Sequence, residues 1–497
     1  MSDATYGAAA PAAGRPLVAE TELKAGALGL PAVLMQGVTT IAPAIAILYS
    51  FQFIVSLAGV AAPWVYVTAA AIVLMTAVSL VSLARAFPSA GSYYTFVSRT
   101  VHPRAGFLAG WMYILYAPPV SGTILCFMGW VLETEIDSAY NVDIRWFYWA
   151  LGGGAIVTFA VYRGIEISGK ALLLFGAAEV LLVLLLSVWG FFDTGPGGFS
   201  FAPLNPGNAS SLNGFYLAVV FSIFAYTGWE GVAPIAEESE NPRRNVPLGI
   251  YGSIAILGVL FILCFWGLLV GWGVNDVSGL TSAKDLPPFI LAHRFWHGAW
   301  ILVLIALVNS TLAVSIACSN ISSRIWFAMG RSGALPRWFA YVHPKYRTPW
   351  NALHLQTLFL LVVAFLVGHI LGPQTIWFWF GFVITLSVVV IYSLANLGNF
   401  LYHFKEKRPE FNWITQALFP AASTVALAWL VYKTVNPYPA DPFKWTIWTV
   451  LGWLVIGVVV LAAMAARGRE DWLHKAGQSV EERPETAEEL ADHSAIL

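Results

Sequence analysis

Charge is what this chain lacks. Of its 497 residues only 11% are Asp, Glu, Lys or Arg, against 58% hydrophobic, and the mean hydropathy is +0.71. A soluble domain carries roughly 25% charged residues. This chain has too little polar surface to cover itself, so its apolar surface must face lipid. A net charge of −1 gives no basic footprint, so no nucleic-acid partner is expected. Cysteine is scarce as well. Cys126, Cys264 and Cys318 all fall in apolar runs. Their odd number and spacing build neither a disulfide framework nor a metal site, and they read as small core residues. The histidines gather near loops and span ends and are read as holding no metal. A Walker-type phosphate loop is missing, so the chain alone has no means of using ATP. No cluster of His, Asp and Cys suggests an enzyme, and no cofactor is expected. Met1 to Gly14 is rich in Ala and Gly and lacks the basic start of a signal peptide.

What the chain has is long apolar runs. About twelve recur, over residues 28–56, 63–84, 107–132, 146–162, 168–192, 213–235, 247–272, 299–328, 352–371, 374–402, 412–433 and 444–466. Nearly all reach the length a helix needs to cross a bilayer. The predicted fold class is therefore an all-α integral membrane protein. Residues 1–27 read as a tail, and residues 467–497 as a solvated acidic tail with Glu481, Glu482, Glu485, Glu488, Glu489 and Asp492. An even number of spans puts both termini on one side. The loops on that side hold Arg85, Arg99, Arg104, Arg163, Arg243, Arg244, Arg331, Arg337 and Lys405. The other side keeps only Arg145, Lys284, Arg294, Lys433 and Lys444. This asymmetry predicts a multi-pass cell-membrane protein with both termini cytoplasmic.

Two spans are interrupted at mid-membrane depth. Gln36-Gly37-Val38-Thr39-Thr40-Ile41-Ala42-Pro43 breaks the first, and Ala225-Tyr226-Thr227-Gly228-Trp229-Glu230-Gly231 breaks the sixth, with Pro234 following. Proline removes a backbone donor and glycine weakens a helix. Exposed backbone at that depth survives only where it lines a cavity or is buried in protein. The two breaks lie five spans apart, and an odd offset turns one relative to the other across the membrane. That pattern predicts an inverted repeat, residues 28–192 and 213–402 within a transport core of 28–402, with the substrate between the two broken helices. Spans eleven and twelve, residues 412–466, lie outside the repeat. Free amides at a half-helix N-terminus suit a carboxylate, and free carbonyls at a C-terminus suit an ammonium. A site with both is shaped for a zwitterion, a small-molecule substrate carried across the bilayer.

Three stretches carry a family resemblance. They are Phe87-Pro88-Ser89-Ala90-Gly91-Ser92-Tyr93-Tyr94 with His102 to Trp111, Gly228-Trp229-Glu230-Gly231 with Glu237-Glu238 and Asn241 to Pro247, and Ser322-Ser323-Arg324 with Met329 to Pro336. In order and content the chain resembles the amino acid–polyamine–organocation (APC) permeases. The resemblance implies a five-plus-five inverted repeat with discontinuous helices one and six, and secondary-active transport by alternating access. It also implies that substrate carboxylate meets Thr39, Thr40 and Ile41, and that its amine meets Phe224, Ala225 and Tyr226. The chain departs from the pattern twice. Its first break lacks the Gly-Ser-Gly or Gly-Thr-Gly of many members. Where several sodium-independent members place a Lys on the fifth helix, it has Ala178 or Glu179.

Glu179 and Glu230 are the only acidic residues deep in the spans, and an ionisable group there suggests function. With about 1.5 Å of rise per residue from Ser168, Glu179 lies roughly 16 Å deep. Both are candidate coupling groups that load and release a proton. A sodium site on the polar eighth span, using Ser319, Ser322 or Ser323, is the alternative. Tyr226 and Trp229 are candidate gates of the substrate site. Trp377 to Phe380 read as interfacial anchors, and Arg85 and Arg324 as snorkelling or gate residues at helix ends. The expected function is a proton-coupled amino acid permease. A polyamine or other organic-amine carrier is the alternative, since two deep carboxyls without a deep base suit a cation.

Overall fold

The computed structural model describes residues 23–436, 441–468 and 470–477. It contains helices and, among the described residues, no strand. The first apolar run becomes two helices, α1 (Leu30–Ile41) and α2 (Pro43–Ala58), joined at Ala42, whose φ of 56° is left-handed. Next come α3 (Ala62–Ala86), the short α4 (Tyr93–Thr100), α5 (Pro103–Tyr113), α6 (Ala117–Tyr140), α7 (Trp146–Tyr162) and α8 (Ile165–Trp189). The sixth run is α9 (Leu212–Tyr226) followed, after Gly228 at φ 121°, by a 3₁₀ segment, Trp229–Glu238. The chain continues through α10 (Pro242–Trp272), α11 (Val277–Ser282), α12 (Pro287–Trp296), α13 (Ile301–Ser332), α14 (Trp350–Leu361), α15 (Gly368–Leu371) and α16 (Thr375–Lys405). Last are α17 (Phe419–Val435), α18 (Lys444–Ala466) and the single turn α19 (Trp472–Lys475).

Nine stretches of described residues are helical, long and apolar enough to cross a membrane. Three shorter apolar helices, within α7, α8 and α9, coincide with predicted spans four, five and six. Span three was read as one run, 107–132, yet it bends between Tyr113 and Ala117. Pro118 and Pro119 occupy the first turn of α6, where proline starts a helix at little cost.

Burial follows the membrane reading. On α18 only Thr446, Val450 and Gly457 are buried. The outward Val425, Ile370 and Leu174 are about 70% exposed, as lipid-facing side chains should be. Trp111 of α5 and Trp453 of α18 exchange indole N–H bonds to each other's carbonyls (2.9 and 2.8 Å), which fastens this outer helix.

Both described chain ends lie on one face, hereafter the termini face. Leu23 packs with Ala90, Phe327 and Val342. Trp472 packs near Phe107 (5.8 Å between rings) and is buried, and Arg104 pairs with Glu470. The segment expected to be a solvated tail from residue 467 therefore docks over 470–477. Its acidic stretch, 481–492, lies outside the described residues, as does most of the N-terminal tail.

Candidate functional site

The two broken helices meet. A Cβ on Gly228 would stand 2.7 Å from the Thr40 carbonyl oxygen, and one on Gly231 would stand 3.0 Å from Thr40 Oγ1. With its φ of 121°, Gly228 is a position that only glycine fits without strain. Beside this crossing is a cavity of about 60 Å³, room for several water molecules. It runs along α2 past Ile45, Tyr49 and Ser50, away from the termini face. Thr40, Ile41, Ala42, Ala225 and Thr227 form its floor, and Tyr116, Cys318 and Trp377 its sides. No Asp, Glu, Lys, Arg or His is among the described residues that line it.

Toward the termini face, ion pairs hold the end of the 3₁₀ segment. Arg324, only 1% exposed, makes a two-pronged ion pair with Glu238 (2.6 and 3.0 Å). Arg331 does the same with Glu237 (2.6 and 2.9 Å), and Glu237 Oε1 also accepts from Ala90 N. The segment leading into α1 is tied to the end of the 3₁₀ segment by two bonds of 3.0 Å, Leu28 N to Glu238 O and Glu240 N to Leu28 O. Arg324 is thus an interior ion-pair residue, not a snorkelling one, because its planar fork finds a carboxylate inside the protein.

The predicted substrate residues divide. Thr40, Ile41 and Ala225 line the cavity. Thr39 instead donates to its own helix at Met35 O (2.7 Å). Tyr226 turns into the packing between α3 and α10, its ring 6.2 Å from Tyr66 and 5.1 Å from Phe261. Trp229 packs at a tilt against Tyr392 (5.6 Å) and does not line the cavity. The side chain of Phe224 lies outside the described residues. Thr39, Thr40 and Ile41 form the last turn of α1, so their carbonyls rather than their amides end that helix. The amides at the break belong to α2. Trp377, expected at the interface, is part of the cavity wall.

The candidate coupling serines on α13 do not converge. Ser319 and Ser322 donate to their own helix at Ser315 O and Cys318 O, and Ser323 donates to Asn320 O. Ser323 also accepts from Arg324 Nη1 (3.1 Å), so a fixed guanidinium already stands there.

The two acids serve one break each. Glu179, fully buried on α8, accepts through Oε1 from Ala44 N (2.8 Å), in the first turn of α2, and from Ser310 Oγ of α13 (2.7 Å). Its Oε2 has no hydrogen-bond partner among the described residues. Glu230 accepts through Oε2 from Gly228 N (3.1 Å), two residues away, and its Oε1 likewise has no such partner. Near the α2 terminus Pro43 lacks an N–H, Ala42 N donates to Thr39 O, and Ala46 N to Ala42 O. Ala44 N and Ile45 N are thus the amides the break can offer a ligand, and Glu179 holds the first. Sequence reasoning found Glu179 but neither of its partners, and it missed Tyr49, Ser50 and Tyr116 altogether.

A family model described as "Amino acid permease" matches residues 32–466 of this chain. Among curated relatives, the "Low-affinity putrescine importer PlaP" of Escherichia coli (strain K12) is 27% identical over 347 residues, 68% of this chain and 74% of that protein. The "Branched-chain amino acid permease BcaP" of Bacillus subtilis (strain 168) is 24% identical over 416 residues, 80% and 83% of the two chains. The "Methylthioribose transporter" of the same organism is 25% identical over 389 residues, 74% and 79%.

Proposed function

The chain belongs to the amino acid permease family, and we propose that it is a secondary-active, proton-coupled importer of a small zwitterionic amino acid. In this reading twelve helices cross the cell membrane with both termini in the cytoplasm. Residues 28–192 and 213–402 are inverted repeats that rock around the cavity. The observation that carries the reading is the bond from Ala44 N to Glu179 Oε1. An ionised Glu179 holds one of the two amides, Ala44 and Ile45, that the first break can offer. When a proton binds Glu179, its carboxyl accepts more weakly, and the Ala44 N–H becomes available to a substrate carboxylate. One negative charge then replaces another at the same donor, so proton and substrate enter together. The substrate ammonium meets the carbonyl end of α9, around Ala225.

One observation favours a second reading. The cavity lining holds neither base nor acid among its described residues, and Ala44 N is occupied. A ligand without a carboxylate would need neither to change, as for a polyamine or other organic amine. Uptake into liposomes holding the full chain distinguishes the two. The test solutes are alanine, leucine, lysine and putrescine, under an imposed proton or sodium gradient. The expected result is accumulation of alanine or leucine driven by protons and indifferent to sodium. If putrescine accumulates and the amino acids neither accumulate nor compete, the amine reading replaces this one.

A further inference from the structure

The coupling step above leaves Glu230 unused. Its free Oε1 is not isolated. The hydroxyls of Tyr93 in α4, Tyr113 in α5 and Tyr392 in α16 are also buried without a hydrogen-bond partner among the described residues. These four atoms gather in one place. Tyr113 packs on Tyr116 (4.9 Å between ring centres), Tyr93 lies 6.1 Å from Tyr113 and 5.9 Å from Tyr392, and Tyr392 packs on Trp229 (5.6 Å). Tyr116 and Tyr392 face the Glu230 carboxyl near hydrogen-bonding reach, without a bond of full geometry.

Native proteins rarely leave buried polar atoms unpaired, and each such atom costs stability. A phenylalanine at any of the three tyrosine positions would fill the same space without burying a hydroxyl. Four orphan atoms from four elements, around one carboxyl, are therefore a polar site with a use. The site also has two ends. Tyr116 lines the central cavity. Tyr93, itself buried, begins α4, three residues beyond Ala90, which packs with Leu23 on the termini face.

We propose that Glu230 and the hydroxyls of Tyr392, Tyr93 and Tyr113 form a relay that carries protons between the central cavity and the termini face. A phenol both donates and accepts. Each hydroxyl takes a proton from the group before it as its own O–H bond breaks toward the next, so no charge is left behind. Water bridges separations beyond hydrogen-bond distance. The titratable groups that face Glu230 are Tyr93 of α4, Tyr113 of α5, Tyr116 before α6, Cys318 of α13 and Tyr392 of α16. The relay requires only that Glu230 exchange protons with the termini face, and it stands or falls without the identity of the solute.

The test needs no substrate. The full chain is reconstituted in lipid and given a rapid pH jump, and the carboxyl C=O band is followed by time-resolved infrared spectroscopy. The band of Glu230 is the one that Glu230→Gln removes. The relay predicts that Tyr392→Phe and Tyr93→Phe slow the change of this band by about tenfold or more, a modest share of what a positioned proton donor supplies. Tyr66→Phe, on the α3 side of Tyr226, should leave it unchanged. If Tyr392→Phe fails to fold, Tyr93→Phe decides. Unchanged rates in the folded variants would overturn the proposal, and so would the absence of any exchanging band that Glu230→Gln removes. Failure of the uptake panel would instead overturn coupling through Glu179 and leave these rates as predicted.

Discussion

The two breaks look alike in sequence and are held in different ways. At the first, the freed amide of Ala44 is bonded to Glu179, 135 residues away on another helix, with Ser310 steadying the same oxygen. At the second, the freed amide of Gly228 is bonded to Glu230 of the same turn, and the 3₁₀ segment ends in the buried Arg324–Glu238 pair. A long-range partner leaves when its helix moves or when its charge changes. A local one travels with the break. The first break is therefore held from another helix, while the second is capped within its own turn and tied to α13 where the 3₁₀ segment ends.

The bracing of the second break is the easiest part to destroy. Arg324→Ala should cost about 3–5 kcal/mol, because Glu238 stays buried and unpaired. Chemical unfolding in detergent checks this, and a double variant with Glu238→Gln should recover part of the loss. Gly228→Ala comes next. The methyl meets the Thr40 carbonyl 2.7 Å away in a backbone region alanine avoids. A cost of about 1–3 kcal/mol in backbone strain is expected, together with loss of uptake, because the two breaks can no longer touch. A stable, active Gly228→Ala protein would show that the breaks separate freely. The smallest effect belongs to the first break. Ser310→Ala removes one bond to Glu179 and should cost about 0.5–1.5 kcal/mol, while weakening the dependence of uptake on the proton gradient.

The apolar runs were legible because a chain in lipid must satisfy its backbone within each helix, which leaves long uninterrupted hydropathy. The breaks were legible because Pro43 and Gly228 are residues that helices reject. Their detail was not. Ala42 adopts a left-handed turn that its residue type does not advertise, which moved the break past Thr39–Ile41. The bend at 114–116 escaped because apolar residues run straight through it. The resemblance placed Tyr226 at the site, with Trp229 beside it as a gate, but position along the chain does not say which way a side chain points. The depth of Glu179 could be counted from Ser168. Its partners could not, since Ala44 and Ser310 come beside it only once three helices pack. The serines of α13 show the converse. A polar run predicts hydroxyls, and three of them spend their bonds on their own helix.

The central claim is that Glu179 couples proton binding to the first break. Glu179→Gln keeps the shape of the side chain and its acceptor for Ala44 N–H but removes the charge that a proton cancels. In liposomes, measured with the amino acid that the unaltered protein accumulates best, the variant should lose proton-driven accumulation. It should still exchange labelled for unlabelled solute across the membrane. Accumulation equal to that of the unaltered protein, with the same dependence on the proton gradient, would contradict the claim and leave Glu179 as a structural cap of α2.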